Sequence, residues 1–349
     1  MNSKIIAQSS WQSPSNIAIV KYWGKYGNQL PINPSISFTL SKALTETTIG
    51  LYNKENEKRI DLEFFFEEKT NDIFKGKIQI FLEQILSELP YLENYKIRID
   101  SKNTFPHSAG IASSASSMSA LALCLVDLEQ QLINQKLSKE AFLKRSSYFA
   151  RLASGSAARS VFPYVSLWGK LNEIENSAQE YAIELQGKLH SAFLNYHDSI
   201  LIIDAGEKKV SSRAGHSLMN NHPYSQARKD QAFSNIRTLI QVFESGDLEK
   251  FTQIAENEAL SLHAMMLSSN PWYSLLKPGT LLALEKIKLF REETKIPLCF
   301  TLDAGPNVHI LFPDAYKNQV NQFIKNELIV LSAKNQLIED TIGSGPNKN

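Results

Sequence analysis

Asn16 to Trp23 is an apolar run of strand length, closed by Gly24, Gly27, Asn28 and Pro31, residue types that turn a chain. Ile36 to Leu51 then alternates, with Thr45, Thr47, Ile49 and Leu51 on one face, the period of a half-buried strand. The same strand, turn, strand order returns at Leu298 to Phe312, with the bend at Ala304 to Asn307. Two further short strands are expected at Tyr95–Asp100 and Ser199–Ile203. Helical spacing separates them. It runs through Ile80, Phe81, Ile85 and Leu89 within Ile73–Leu92, and through Leu137–Leu152, opened by Ser138 with Glu140 close behind. A small-residue helix through Leu123 and Val126, two amphipathic helices (Arg228–Glu244 and Lys250–Met266) and a final helix (Ala315–Leu328) complete the set. The charge-rich Asn53–Lys69 reads as a hairpin or surface excursion, and Gly343–Asn349 as a frayed tail. Strands that come as hairpins among helices exclude a strict β-α-β succession. The expected class is α+β, antiparallel sheets covered by helices. No repeat or low-complexity linker interrupts the chain. A composition shift near Gly187–Ser191 suggests two lobes, 1–188 and 189–349.

Charge excludes several partners. The 37 Lys and Arg against 36 Asp and Glu leave no global field to attract nucleic acid or an anionic membrane, so any anion site must be local. Cys124 and Cys299 stand far apart in apolar runs, which suits buried reduced thiols rather than a disulfide framework or a metal pair. The seven histidines show no metal-ligand spacing. Met1–Ser15 lacks the apolar core of a signal peptide, and the longest apolar run, Ala120–Val126, is too short to span a bilayer. A cytoplasmic protein is expected.

Four segments carry chemistry. Pro106 to Ser117, reading Pro-His-Ser-Ala-Gly-Ile-Ala-Ser-Ser-Ala-Ser-Ser, lies between a strand and an apolar helix. A glycine bend, hydroxyls and a helix N-terminus together suit phosphate, although small residues that allow close packing, or serines that cap a helix, would look the same. The segment is neither a Walker loop nor a dinucleotide fingerprint. Near the N-terminus, Lys21, Tyr22 and Lys25 gather cations and a phenol at a strand end, followed by Pro31-Ile-Asn33-Pro-Ser35-Ile-Ser37, which suits an anionic ligand or is simply a solvated strand end with edge lysines. In Arg151-Leu-Ala-Ser154-Gly155-Ser156-Ala-Ala-Arg159, hydroxyls and a guanidinium fork offer a match to carboxylate or phosphate. A capped helix with a surface arginine is the alternative. Last, Asp303 ends an apolar strand in Leu302-Asp-Ala-Gly-Pro-Asn307, where it would be rigid and partly desolvated, or simply close an Asx-turn.

Taken together and in order, these segments resemble the diphosphomevalonate decarboxylases of the GHMP kinase superfamily, over nearly the whole chain. The resemblance implies a two-lobed fold around a deep cleft, with ATP as co-substrate and Mg²⁺ as cofactor. Gly110, Ala112, Ser113 and Ser114 would then wrap the ATP phosphates, and a central serine, Ser114 with Ser113 equally placed, would help hold Mg²⁺. By the same resemblance Tyr22 and Lys25 meet the substrate diphosphate, and Ser154 and Ser156 bind substrate. Arg159 grips the carboxylate, and Lys21 lies near the reacting carbon and the catalytic Asp303. A weaker match, Val210 to His216, adds Ser212 and Arg213 as substrate contacts, while His263 reads as structural. Tyr26-Gly27 stands where the family has Arg-Asp, and Ala153 and Ala158 where Gly and Cys are common. The first departure reads as loop variation, and neither of the two alanines removes a functional side chain.

The implied reaction is ATP-dependent decarboxylation of mevalonate 5-diphosphate to isopentenyl diphosphate, with ADP, phosphate and CO₂ released. A homodimer is what the family suggests. The rival readings are a 3-kinase of mevalonate, a decarboxylase of a differently phosphorylated mevalonate, and a non-catalytic sensor on the same fold. Keeping both Lys21 and Asp303 argues against a pure kinase and against a sensor.

Overall fold

The computed structural model describes residues 4–105, 112–185, 187, 189–206 and 212–349, and for residues 212 and 213 the backbone alone. The first half opens with β1 (Ile5–Val20), a small ribbon of β2 (Lys25–Tyr26) and β3 (Leu30–Pro31), and the long β4 (Ser35–Asn53). β1 and β4 pair antiparallel from Ile5 opposite Tyr52 to Val20 opposite Ile36, as their alternating patterns require. The chain leaves β1 through Gly24 at φ +106°, where a Cβ would lie 2.4 Å from Ile32 Cδ1, so only glycine fits this bend.

Then come β5 (Asp61–Phe66), β6 (Lys69–Thr70), α1 (Asp72–Ile85), β7 (Tyr95–Asn103), α2 (Ser113–Ile133), α3 (Lys139–Ala153), β8 (Val165–Trp168) and β9 (Ala182–Glu184). β5 and β6 form the expected hairpin. β5 also joins the main sheet, parallel to β7, with α1 as the crossover. The charges of Asn53–Lys69 hid this strand, because only Asp61–Phe66 faces the core. Asn71 caps α1, its side chain accepting the Phe74 N–H at 3.0 Å, and Ile78, Phe81, Leu82 and Ile85 make its buried stripe. α2 is buried along its middle, from Ser119 to Leu128, and packs on β1, β4 and α3. Cys124 lies there, its thiol pushed up to about 12 by burial, which is the inert reduced cysteine expected.

The second half contains β10 (His197–Leu201), α4 (Ser212–Ser217), α5 (Ser225–Ser245), α6 (Leu248–Leu267), α7 (Pro278–Thr294), β11 (Cys299–Thr301), β12 (Val308–Phe312), α8 (Lys317–Phe323), β13 (Leu337–Thr341) and β14 (Asn347–Lys348). Its sheet runs β11-β12-β10-β13, antiparallel throughout. The expected final helix is shorter than its pattern, widening to a π-type turn at Ile324–Leu328. Two expectations are corrected here. That helix does not end the fold, because β13 follows it. Nor does Gly343–Asn349 fray as a whole, because Asn347 and Lys348 pair with Gln12 and Trp11 on the edge of β1. The Lys348 ammonium also reaches Asp127 at 2.8 Å. No described helix is long and apolar enough to cross a membrane.

The two sheets share a core. Phe38 of β4 packs against Phe193, Tyr196, Phe243 and Phe251 of the second half, stacking on Phe251 at 5.7 Å. Asp340 of β13 crosses the junction as well. Its carboxylate accepts the backbone N–H groups of Ser41, Lys42 and Ala43 at 2.7–2.9 Å, so a stretch of β4 has its donors satisfied by a strand of the other sheet. Asp340→Ala is expected to destabilise the protein by about 3 kcal/mol, with Asp340→Asn losing less, as read from urea denaturation.

Candidate active site

Lys21 is the residue just past the last pairing of β1, and it is 2% exposed. Its Nζ donates to Asp303 Oδ1 at 3.3 Å, an ion pair that joins residues 282 positions apart. Burial pulls the Lys21 ammonium below its usual pKa, a shift opposed by Asp303 and Glu258 and reinforced by Arg159. The turn carrying Asp303 between β11 and β12 is held at several points. His263 Nε2 donates to the Asp303 carbonyl at 3.1 Å, Thr280 Oγ1 donates to the Pro306 carbonyl at 2.6 Å, and the Asp204 N–H donates to Asn307 Oδ1 at 3.0 Å. The aspartate is therefore rigid, and its side chain keeps partial exposure of 25%.

Arg159 sits in the turn of 3₁₀ helix Gly155–Val161, 2% exposed. It donates to Ser35 Oγ at 2.7 Å, to Ser37 Oγ at 3.1 Å and to Asn16 Oδ1 at 3.2 and 3.3 Å. These are neutral acceptors. Among the described residues no carboxylate pairs with this guanidinium, and one N–H on each terminal nitrogen has no acceptor. A buried fork with no carboxylate partner among the described residues has the chemistry to receive an anion.

Tyr22 lies over that fork, its ring 5.4 Å from the guanidinium carbon and edge-on to Trp168 at 4.8 Å. Gly155 makes this approach possible, since a Cβ there would stand 2.8 Å from the Trp168 ring and 3.0 Å from the Tyr22 hydroxyl. Tyr22 also stacks on His216 of α4 at 5.0 Å, and Lys25 Nζ stands 5.7 Å from the same ring. His216 Nδ1 accepts the Gly24 N–H at 2.9 Å, and burial beside Lys25 holds its imidazole well below the usual pKa, so it is neutral.

The N-terminus of α2 faces the same region. Its N-cap is Ala112, left-handed at φ +40° and without a capping oxygen, and no acidic residue occupies the first turn. Ser113 is half-buried and Ser114 exposed, and Ser154 Oγ approaches Ser114 Oγ at 3.4 Å. Beside this turn is a cavity of about 280 Å³ walled by Phe64, Phe66, Phe74, Ile78, Met118 and Leu121, with Ser113 and Ser114 at its rim. Among the described residues no cluster of His, Cys, Asp or Glu could hold a metal ion by itself.

The fold thus brings Lys21, Asp303, Arg159, Tyr22, Lys25, Ser154, Ser113, Ser114 and Ala112 into one region, and Ser156 joins through its carbonyl, which accepts from Asn16 at 3.1 Å. Gly110 and the side chains of Ser212 and Arg213 lie outside the described residues. His263 is structural, as expected. Sequence reading missed Glu258, Arg228 and His216. Glu258 left a trace, a lone acid on the apolar stripe of α6 between Ala255, Ala259 and Leu262. His216 lay at the end of the Val210–His216 match without a role of its own, and Arg228 left no trace, because their partners are far away in the chain.

Fold and site together define an α+β enzyme of the GHMP kinase type. The diphosphomevalonate decarboxylase-like N-terminal domain model matches residues 13–179, and the mevalonate 5-diphosphate decarboxylase C-terminal domain model matches residues 199–346. The chain belongs to the diphosphomevalonate decarboxylase family. A diphosphomevalonate decarboxylase of Ganoderma lucidum is 28% identical over 91% of this chain and 82% of its own length. The crystal structure of mevalonate diphosphate decarboxylase from Staphylococcus aureus is 28% identical, with a TM-score of 0.83 and 98% of each chain covered. A structure of MDDEF in complex with MVAPP, AMPPCP and magnesium is 27% identical, also at 0.83 and 98% of each chain.

Burial holds His263 neutral, its pKa lowered to about 4. The unfolded chain, titrating near 6.5, binds the extra proton between those values. This contribution to stability is therefore complete above pH 6.5 and lost as pH falls toward 4. In urea titrations the wild type should lose about 3 kcal/mol more than His263→Gln across that window. An identical slope in the two proteins would refute the assignment.

Proposed function

We propose that this enzyme converts mevalonate 5-diphosphate and ATP to isopentenyl diphosphate, ADP, phosphate and CO₂. The observation that carries the reading is the buried Lys21–Asp303 pair facing an unneutralised Arg159. The substrate has three anionic or reactive features: a carboxylate, a tertiary C3 hydroxyl and a diphosphate. A tertiary hydroxyl leaves poorly, so transfer of the γ-phosphoryl group to its oxygen makes it a leaving group. Departure of that phosphate develops positive charge at C3, and the electron pair of the C1–C2 bond forms the alkene as CO₂ departs.

Each residue has a role in this scheme. Asp303 orients the C3 hydroxyl and accepts its proton, and Lys21 keeps Asp303 ionised before transfer. Once the partly exposed Asp303 has passed that proton to solvent, its carboxylate near C3 also favours the cationic character that develops there. Arg159 takes the substrate carboxylate on its two unspent N–H groups and aligns the bond to be broken. Tyr22 and Lys25 receive the diphosphate, with Ser154, Ser156, Ser212 and Arg213 as further substrate contacts. Gly110, Ala112, Ser113 and Ser114 bind the ATP phosphates at the uncapped start of α2, and the apolar cavity beside them takes the adenine. The exposed Ser114 hydroxyl is a hard oxygen donor of the kind Mg²⁺ accepts, so the residues present fit a magnesium ion held mainly by ATP. When bound, that ion neutralises phosphate charge. In this reading residues 1–188 form the lobe that grips phosphate, and 189–349 the lobe that carries Asp303.

Asp303→Ala should lower kcat by about 10³-fold or more while ATP binding persists. Arg159→Lys keeps the charge but loses the fork, and should cost about 10–100-fold in kcat/KM. Incubation with ATP and mevalonate 5-diphosphate, assayed for CO₂ and alkene, is the direct test. A phosphorylated acid without CO₂ would make the enzyme a 3-kinase, and an active Asp303→Ala variant would sink the scheme.

A further inference from the structure

Helix α6 reaches both members of the Lys21–Asp303 pair. Glu258 accepts the backbone N–H of Lys21 at 2.9 Å, and His263, five residues on, holds the carbonyl of Asp303 at 3.1 Å. Glu258 is completely buried and is forked by Arg228 of α5 through both terminal nitrogens, one of them at 3.0 Å. Arg228 then turns back and donates to the carbonyl of Lys21 at 2.7 Å. Asn235 adds a bond to Glu258 at 2.7 Å, and Asn33 a second bond to the Lys21 carbonyl at 2.9 Å. Both peptide groups of Lys21 are thus tied to one buried ion pair.

Packing does not require this arrangement. A buried ion pair repays its desolvation only with good geometry, and two apolar side chains of similar volume often serve stability as well. Apolar side chains could not satisfy and aim the N–H and C=O of a residue that lies just beyond the β1–β4 ladder. Lys21 needs such aim. Its ammonium must meet a carboxylate that arrives on a different sheet, from the turn between β11 and β12.

We propose that Arg228 and Glu258 are positioning residues for the reaction, fixing where the Lys21 ammonium stands opposite Asp303, with α6 as the common gauge for both. The inference rests on the reading of Lys21 and Asp303 as groups of the reacting centre. Its test is arranged to separate the two. Lys21→Met is measured first with ATP and mevalonate 5-diphosphate, and wild-type turnover there would overturn the site reading and this inference with it.

If Lys21→Met is inactive, the decisive protein is the double variant Arg228→Met with Glu258→Leu. It removes both charges together and so avoids the unpaired buried charge that a single loss would leave. A folded double variant should show kcat about 10²-fold lower, with KM for ATP within about twofold of wild type. Glu258→Gln supplies an independent readout. Among the described residues the charged and titratable groups that face Lys21 are Asp303, Glu258, Arg159, Arg228 and His263, and of these Asp303 and Glu258 favour the ammonium. Loss of the Glu258 charge makes Lys21 easier to deprotonate, so the alkaline limb of kcat should move to lower pH. A purely structural role would leave that limb in place. Wild-type kcat in the double variant, or an unmoved limb in active Glu258→Gln, overturns the proposal.

Discussion

A lysine ammonium almost without water, 3.3 Å from an aspartate contributed by another sheet, is the constraint around which this molecule is arranged. A buried charge is tolerated only when it is paired and its neighbours are held still. The pairing comes from Asp303, and the stillness from α6, which touches the backbone of both partners through Glu258 and His263. The rest of the junction serves the same end. The aromatic cluster around Phe38 and the Asp340 carboxylate hold the two sheets in one register, without which residues so far apart in the chain could not meet.

Around that pair the site is unbalanced toward positive charge. Among the described residues Arg159 is satisfied by serine and asparagine oxygens and by no carboxylate, Lys25 is met by a glutamine, and α2 begins without a side-chain cap. Neutral partners orient a cation without cancelling it, so its charge remains available to a ligand. His216 and His263 follow the same economy. Both are buried and neutral, so they donate or accept in fixed directions and add no charge of their own.

The strand and helix order was largely legible because periodicity reports which face of an element is buried. The pairs β1–β4 and β11–β12, and helices α3, α5 and α6, lie where their patterns fall, whereas α1 ends at Ile85, short of the expected Leu92. What escaped had weak or misleading local signals. β5 is short and set in a charged stretch, α7 is only sparsely buried, and β13 and β14 are strands whose pairing partners lie far back in the chain. Polar composition alone made the last seven residues look free, whereas the edge of β1 gives part of them a ladder.

Sequence alone determined the α+β class and the family, and it named most of the charged and hydroxyl groups that the fold brings together, because these depend on residue type and order. It left open whether Arg159 was a surface residue, whether Asp303 merely closed a turn, and what Glu258 was for. Tertiary structure decided all three. It buried the arginine among neutral oxygens, placed Lys21 against the aspartate, and turned a lone acid on an apolar helix stripe into the anchor of that lysine. The reason is physical: desolvation and hydrogen-bond direction depend on what surrounds a group in space, and at this site the neighbours that matter come from distant parts of the chain.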